Sequence, residues 1–206
     1  DEGQTWSEPV MLTERVAYHV INNDRIIQMH NGRLIAPISY VPVYHDQASF
    51  MALCCFSDDE GQTWQRGTTE INLPRRGAME PGVVERQDGS LLMLIRTQLG
   101  HQYRSLSHDG GDTWTPAEPV TDLLGSEAPA TVKRIPDTGD LLVVWNMVFD
   151  PYRSHFGRTP LTSAISRDDG ETWENVRALE SEPDHTYAYP TILFQDDEVV
   201  LTYYRS

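Results

Sequence analysis

Three aspartates, Asp59, Asp109 and Asp168, stand at the same place in a repeated run of Ser-x-Asp-x-Gly-x-Thr-Trp, and carboxylates in series are candidates for acid–base work or for calcium. The full copies run from Ser57 to Trp64, Ser107 to Trp114 and Ser166 to Trp173; a fourth, cut at its left edge, runs from Asp1 through Gly3 and Thr5 to Trp6. Calcium fails on spacing, because the further oxygen ligands and closing Glu of an EF-hand loop are absent. Catalysis is the weaker reading as well. Asp accepts backbone N–H bonds, Gly permits positive φ, and Trp can lie over the turn as an apolar lid, so the run is a structural staple. Cys54 and Cys55 are adjacent in an expected strand, where neighbouring side chains point to opposite faces. They form neither a disulfide framework nor a metal site.

Charge narrows the partners. With 31 acidic against 16 basic residues the chain carries a formal charge of -15, which repels nucleic acid and anionic membrane surfaces. A small anion binds such a chain only where the fold gathers several arginines. The longest apolar stretches, such as Leu91 to Ile95 and Leu141 to Trp145, fall far short of the roughly 20 residues of a membrane span. The first residues have neither a basic start nor an apolar run, so no secretion signal is visible in this stretch.

The elements that must position any site follow from the repeat. Trp6, Trp64, Trp114 and Trp173 recur at intervals of 50 to 59 residues, a period suited to one four-stranded sheet per repeat. Ahead of each turn a polar corner leads into an apolar strand: Asn31 to Pro37, Asp88 to Arg96, Thr138 to Asn146 and Asp196 to Tyr204. Near-continuous apolar runs bounded by turn signals read as strands buried on both faces, as in sheets stacked radially. A further strand sits just before each full Asp-box, in Met51 to Phe56, Tyr103 to Leu106 and Leu161 to Ile165. No segment shows sustained helical periodicity. The expected fold is all-β with about four repeats, a single domain over residues 1–206 that is incomplete at both ends. Open sheet edges at those ends would be closed by further chain or by self-association.

The Asp-boxes, joined to the run Glu80-Pro81-Gly82-Val83-Val84-Glu85 and Asp88-Gly89-Ser90-Leu91 through Arg96, resemble the sialidase superfamily of six-bladed Asp-box (BNR repeat) β-propellers, of which this chain would cover about four blades. The resemblance implies a glycosidase without metal or cofactor that acts on a terminal acidic sugar of a glycan. By the same resemblance a secreted or periplasmic setting is the expected one. In that family a Glu that opens a strand, an Asp-Gly turn and a strand ending in Arg supply two active-site groups, which match Glu80 and Arg96. The family's next arginine matches Arg158, ahead of the strand Leu161 to Ile165. The nucleophilic tyrosine matches Tyr189 when Ala188 to Tyr204 is read without gaps, with Tyr187 the alternative if the register slips. The family's third arginine and its acid/base aspartate lie before the first Asp-box, upstream of Asp1. Asn22-Asn23-Asp24-Arg25 enters the second repeat where Glu80 enters the third, so Asp24 and Arg25 are further candidate substrate contacts; Asn146, ending a strand as Arg96 does, is a weaker one.

Chemistry explains the set that the resemblance implies. A sialic acid carries a carboxylate on its anomeric carbon, so a carboxylate nucleophile would meet like charge and a neutral phenol would not. A free phenol ionises near a pKa of about 10 and needs a base beside it, the role of Glu80. Planar guanidinium forks such as Arg96 and Arg158 bind a carboxylate bidentately. Two other functions stay open on sequence alone: a non-catalytic carbohydrate-binding propeller, and an exo-glycosidase or lyase for another sugar.

Overall fold

The computed structural model describes residues 3–42, 49–148 and 157–206, and within them the regular structure is all strand. The first sheet holds β1 (Tyr18–Val20), β2 (Ile27–Gln28), β3 (Leu34–Val41), β4 (Met51–Ser57), β5 (Gln65–Arg66) and β6 (Ile71–Asn72), with order β1-β3-β4-β5, β2 on β3 and β6 on β4. The second runs β10-β9-β8-β7, from β7 (Met79–Glu85), β8 (Leu91–Arg96), β9 (His101–Ser107) and β10 (Glu118–Leu124). The third runs β11-β12-β13-β14, from β11 (Thr131–Arg134), β12 (Leu141–Asn146), β13 (Leu161–Ser166) and β14 (Glu174–Glu180). A hairpin of β15 (Tyr187–Gln195) and β16 (Glu198–Arg205) is the fourth. Pairing between successive strands of each sheet is antiparallel, as chain-adjacent strands joined by tight turns require.

Alternation along β8 shows why these apolar runs are continuous. Leu91, Met93 and Ile95 pack with Ile35, Cys54 and Trp114 towards the first sheet, while Leu92 and Leu94 pack with Val143, Trp145 and Trp173 towards the third. The device repeats in β12, where Leu141, Val143 and Trp145 face the second sheet and Leu142 and Val144 meet Tyr187 and Ile192 of the hairpin. A strand held between two neighbouring sheets has no polar face to show, and each buried Leu or Val contributes about 1.5–3 kcal/mol. Cys54 and Cys55 part to opposite faces of β4, and burial pushes both thiols up, Cys55 to about 11. The expectation of two-sided burial fails for Asp196 to Tyr204: Val199, Val200 and Tyr204 of β16 are exposed, since the described residues cover the hairpin on one side only.

The Asp-boxes close turns as their chemistry suggests. In the copy after β4, Ser57 Oγ accepts from the Gly61 N–H at 2.9 Å and donates to Asp59 Oδ1 at 2.8 Å; Asp59 in turn accepts the Thr63 N–H at 2.8 Å and the Thr63 hydroxyl at 2.6 Å. The copies after β9 and β13 repeat these bonds, and their lids Trp114 and Trp173 are buried. In the first copy Asp1 lies outside the described residues; the Trp6 ring still lies against Gly3, 3.5 Å from where a Cβ would stand, but is 87% exposed because no described sheet covers it. The turns after β9 and β13 are also tied to the preceding sheet: Arg33 donates to Gly110 O at 3.1 Å, and Arg104 donates to Gly170 O at 3.2 Å and to Glu171 at 2.8 Å. The turns sit where β9 and β13 end, opposite the ends where β8 and β12 finish, a strand length of about 16–20 Å away.

Hydrogen bonds from Thr63 hold the Asp59 carboxyl down at about 2, against an ordinary 3.8. Burial opposes ionisation of Asp109 and Asp168, and the bonds from Thr113 and Thr172 outweigh it, so both also fall below the usual range. A carboxyl depressed in the folded state contributes stability above its unfolded pKa that is lost as pH falls through the folded value. Stability against urea is therefore expected to drop between about pH 4 and pH 2, and Thr63→Val, which removes one donor to Asp59 and so brings its folded-state pKa nearer the unfolded value, should lower stability near neutral pH and make that acid drop smaller. An acid drop of unchanged size in Thr63→Val would show that the turn carboxylate is not what the acid titrates.

Candidate active site

Two strand openings are bent in the same way. Between Met79 and Gly82 the β7–β8 register shifts, and between Ala188 and Thr191 the β15–β16 register does. Glu80 (φ 41°) and Tyr189 (φ 55°) sit inside those irregularities with left-handed backbones that cost a non-glycine residue of order 1–3 kcal/mol. Bulges re-aim side chains, and here both turn into one cavity of about 560 Å³ lined also by Arg96, Arg76, Asn22, Asn23, Met79, Phe50 and Tyr18.

Surrounding polar groups hold the strained backbones. The Glu80 N–H donates to Ser39 Oγ at 3.1 Å. Asn23, itself at φ 40°, spreads its amide over the Tyr189 carbonyl (2.9 Å), the Pro190 carbonyl (3.2 Å) and the Thr191 hydroxyl (3.2 Å), and Thr131 Oγ1 donates to Pro190 O at 2.6 Å. Asn146 is buried and donates to the carbonyls of Arg158 (2.8 Å) and Tyr187 (3.0 Å), pinning the two segments that carry Arg158 and Tyr189.

Three of the expected residues converge. The Tyr189 hydroxyl donates to Glu80 Oε1 at 3.3 Å, and Arg96 pairs through Nη1 with the other oxygen, Oε2. Arg96 Nη2 reaches Glu127 Oε1 at 3.3 Å. Burial opposes the charge on Arg96, and the Glu80 and Glu127 carboxylates more than restore it, leaving the guanidinium with a raised pKa. The Arg158 guanidinium lies 5.3 Å from the centre of the Tyr189 ring, and the Tyr204 ring meets Tyr189 edge-on at 6.0 Å. Tyr187, the alternative, is fully buried against Tyr203 and Ile192.

Asp24 and Arg25 do not join this group. Asp24 pairs with Lys133 of β11, and Arg25 is buried beneath β7, donating to Ala130 O at 2.7 Å. A Cβ on Gly82 would stand 2.4 Å from Arg25 Nη1, so glycine is what leaves room for that arginine. Burial lowers the Arg25 pKa, opposed by the charges of Asp24 and Glu80, and Arg25 is not among the residues that line the cavity. The chain tip that does face it is Asn22-Asn23. Sequence reading missed Glu127 and Arg76, although Glu127 precedes β11 much as Glu80 opens β7, and the same positional rule applied to Ser126-Glu127-Ala128 would have found it.

Comparison with known proteins agrees with this architecture. A profile for the BNR repeat-like domain matches residues 1–201. The Bacteroides fragilis (strain YCH46) sialidase is 27% identical over 214 aligned positions, covering 100% of this chain and 38% of that protein. The Micromonospora viridifaciens sialidase is 30% identical over 148 positions, 70% of this chain and 22% of its own length. The chain thus spans well under half of these relatives. Among solved structures, the Ruminococcus gnavus intramolecular trans-sialidase superimposes with a TM-score of 0.74 at 24% identity over 98% of this chain and 44% of that one. A Dyadobacter fermentans protein of unknown function gives 0.76 at 22% identity, over 100% and 58%. Sharing the profile along nearly its whole length and the propeller fold with these structures, the chain belongs to the BNR repeat-like family of the sialidase superfamily.

Proposed function

We propose that the full-length protein is a retaining exo-sialidase, which releases terminal sialic acid or a related acidic sugar from glycans through Tyr189 as nucleophile and Glu80 as its base. The observation that carries this reading is the phenol of Tyr189 at 3.3 Å from Glu80 Oε1, in a cavity that also holds Arg96. Relatives named as sialidases support the glycosidase class.

The chemistry follows from that geometry. The Tyr189 oxygen attacks the anomeric carbon, its proton passes to Glu80, and the bond to the departing sugar oxygen breaks. That oxygen takes its proton from a general acid which the Tyr–Glu pair does not supply. Water then attacks the sialosyl–tyrosine from the opposite side, losing a proton to the conjugate base of that same general acid, while Glu80 returns its proton to the phenolic oxygen, and the second inversion restores the starting configuration. Two arginines serve this path: Arg96 neutralises Glu80 until the phenol needs it, and Arg158 over the Tyr189 ring eases the negative charge that develops on its oxygen.

The test is hydrolysis by the full-length protein of a fluorogenic α-sialoside beside a panel of neutral glycosides and a glucuronide, with NMR of the first-formed sugar. Turnover of the sialoside with the α-anomer released first is expected. Turnover of another glycoside in its place, or of none, overturns the proposal.

A further inference from the structure

Arg76 lines the same cavity from the loop between β6 and β7, and it is built into place. Its carbonyl accepts the Phe50 N–H at 2.8 Å, the Ala78 N–H returns to Phe50 O at 3.0 Å, and its guanidinium lies 5.8 Å from the centre of the Phe50 ring. Gly77 follows at φ 84°, and a Cβ there would meet Phe50 O at 2.1 Å, so the close approach that seats Arg76 requires glycine. The neighbouring Arg75 donates to Gln98 O at 2.8 Å, closing the loop over the β8–β9 corner.

Glu127 organises the charges. Its side chain is 1% exposed, and its Oε1 takes both Arg76 Nη1 and Arg96 Nη2 while Oε2 accepts from Gln98 at 2.7 Å. Two guanidiniums on one oxygen repel each other, and that arrangement stands because Glu127 and Glu80 sit between and beside them. Arg96 is 10% exposed and spends one terminal nitrogen on each carboxylate. Arg76 differs: its side chain is 49% exposed, and of its five N–H donors one goes to Glu127 among the described residues. A half-exposed, pre-set cation in the cavity of a chain with net charge -15 is a receptor for an anion.

We propose that Arg76 is a specificity-determining residue that donates to the acidic group of the bound sugar, held beside Arg96 by the buried Glu127 carboxylate. This rests on the reading of the cavity as an acidic-sugar site, and the experiment separates the two. The probe is the 2,3-didehydro derivative of sialic acid, flattened at the anomeric carbon like the transition state, alongside its neutral carboxamide. Both are titrated calorimetrically into the full-length protein, Arg76→Ala, Arg76→Lys, Glu127→Gln and the Arg76→Ala/Glu127→Gln double variant, with melting temperatures recorded for each. Arg76→Ala should weaken binding of the acid about 10- to 100-fold and of the carboxamide by less than about threefold; Arg76→Lys should fall between. In the Glu127→Gln background, Arg76→Ala should cost far less than it does alone, because the arginine is no longer held at its post. Acid-over-amide discrimination that survives both Arg76 substitutions overturns the role of Arg76, and additive effects of the two sites overturn that of Glu127. An unsubstituted protein that prefers the amide, or binds neither compound, overturns the acidic-sugar reading and this inference with it.

Discussion

A 3-fluorinated sialosyl fluoride is expected to leave its sugar covalently on Tyr189 of the full-length protein. The electron-withdrawing fluorine at C3 destabilises the oxocarbenium-like transition state, and the good leaving group at C2 lets the first step outrun the second, so the intermediate accumulates. Tyr189 is the tyrosine whose hydroxyl faces Glu80 in the cavity, whereas Tyr187 is packed into the core against Tyr203. Tyr189→Phe removes the attacking oxygen and keeps the ring between Arg158 and Tyr204, so the trapped species should vanish with little change in melting temperature. Peptide mapping reads the result. A label on Tyr187 would move the nucleophile two residues upstream, and an active enzyme labelled on neither would end the tyrosine mechanism.

Glu80→Gln should slow turnover by about 10²–10⁴ without abolishing labelling, because the phenol stays in place and only the group that takes its proton is lost. Glutamine keeps the length of the side chain and an oxygen for Tyr189 or Arg96, but it also removes a charge that Arg96 relies on for its raised pKa. Turnover slowed by less than about tenfold would assign Glu80 to holding Arg96 rather than to accepting a proton.

What was legible in the sequence is what is local. Ser57, Asp59, Gly61 and Thr63 bond to one another within seven residues, so their spacing alone announces the turn. The alternating partners of β8 follow from a run with no polar break. Glu80 and Arg96 lie on paired strands across one tight hairpin, so one motif carries both. Legibility ends where long-range pairing or a bulge decides. Tyr187 and Tyr189 would share a face in a regular strand; the register shift after Ala188 sends one to the core and the other to the cavity, and nothing in the residue types marks it. Asp24 and Arg25 missed by one or two positions for a similar reason, since at a sharp corner each step of the chain turns a side chain towards a different neighbour. Arg76 and Glu127 are 51 residues apart and meet only because successive sheets stack.

Opposite placement of the stapled turns and the cavity along the same strands gives the molecule two separately heritable properties. Asp59, Asp109 and Asp168, with Arg33 and Arg104 on the turns of the last two, govern how much heat or acid the sheets withstand, about a strand length from the ends where β8 and β12 finish. Under the proposed function, exchanging cavity-lining residues such as Asn22, Phe50 and Arg76 at the other end should alter sugar preference and leave those staples in place. Directed evolution could therefore proceed in two libraries, one per end, screened respectively for residual fold after heating and for glycan choice. Gains from the two should combine additively, because the two ends lie about a strand length apart.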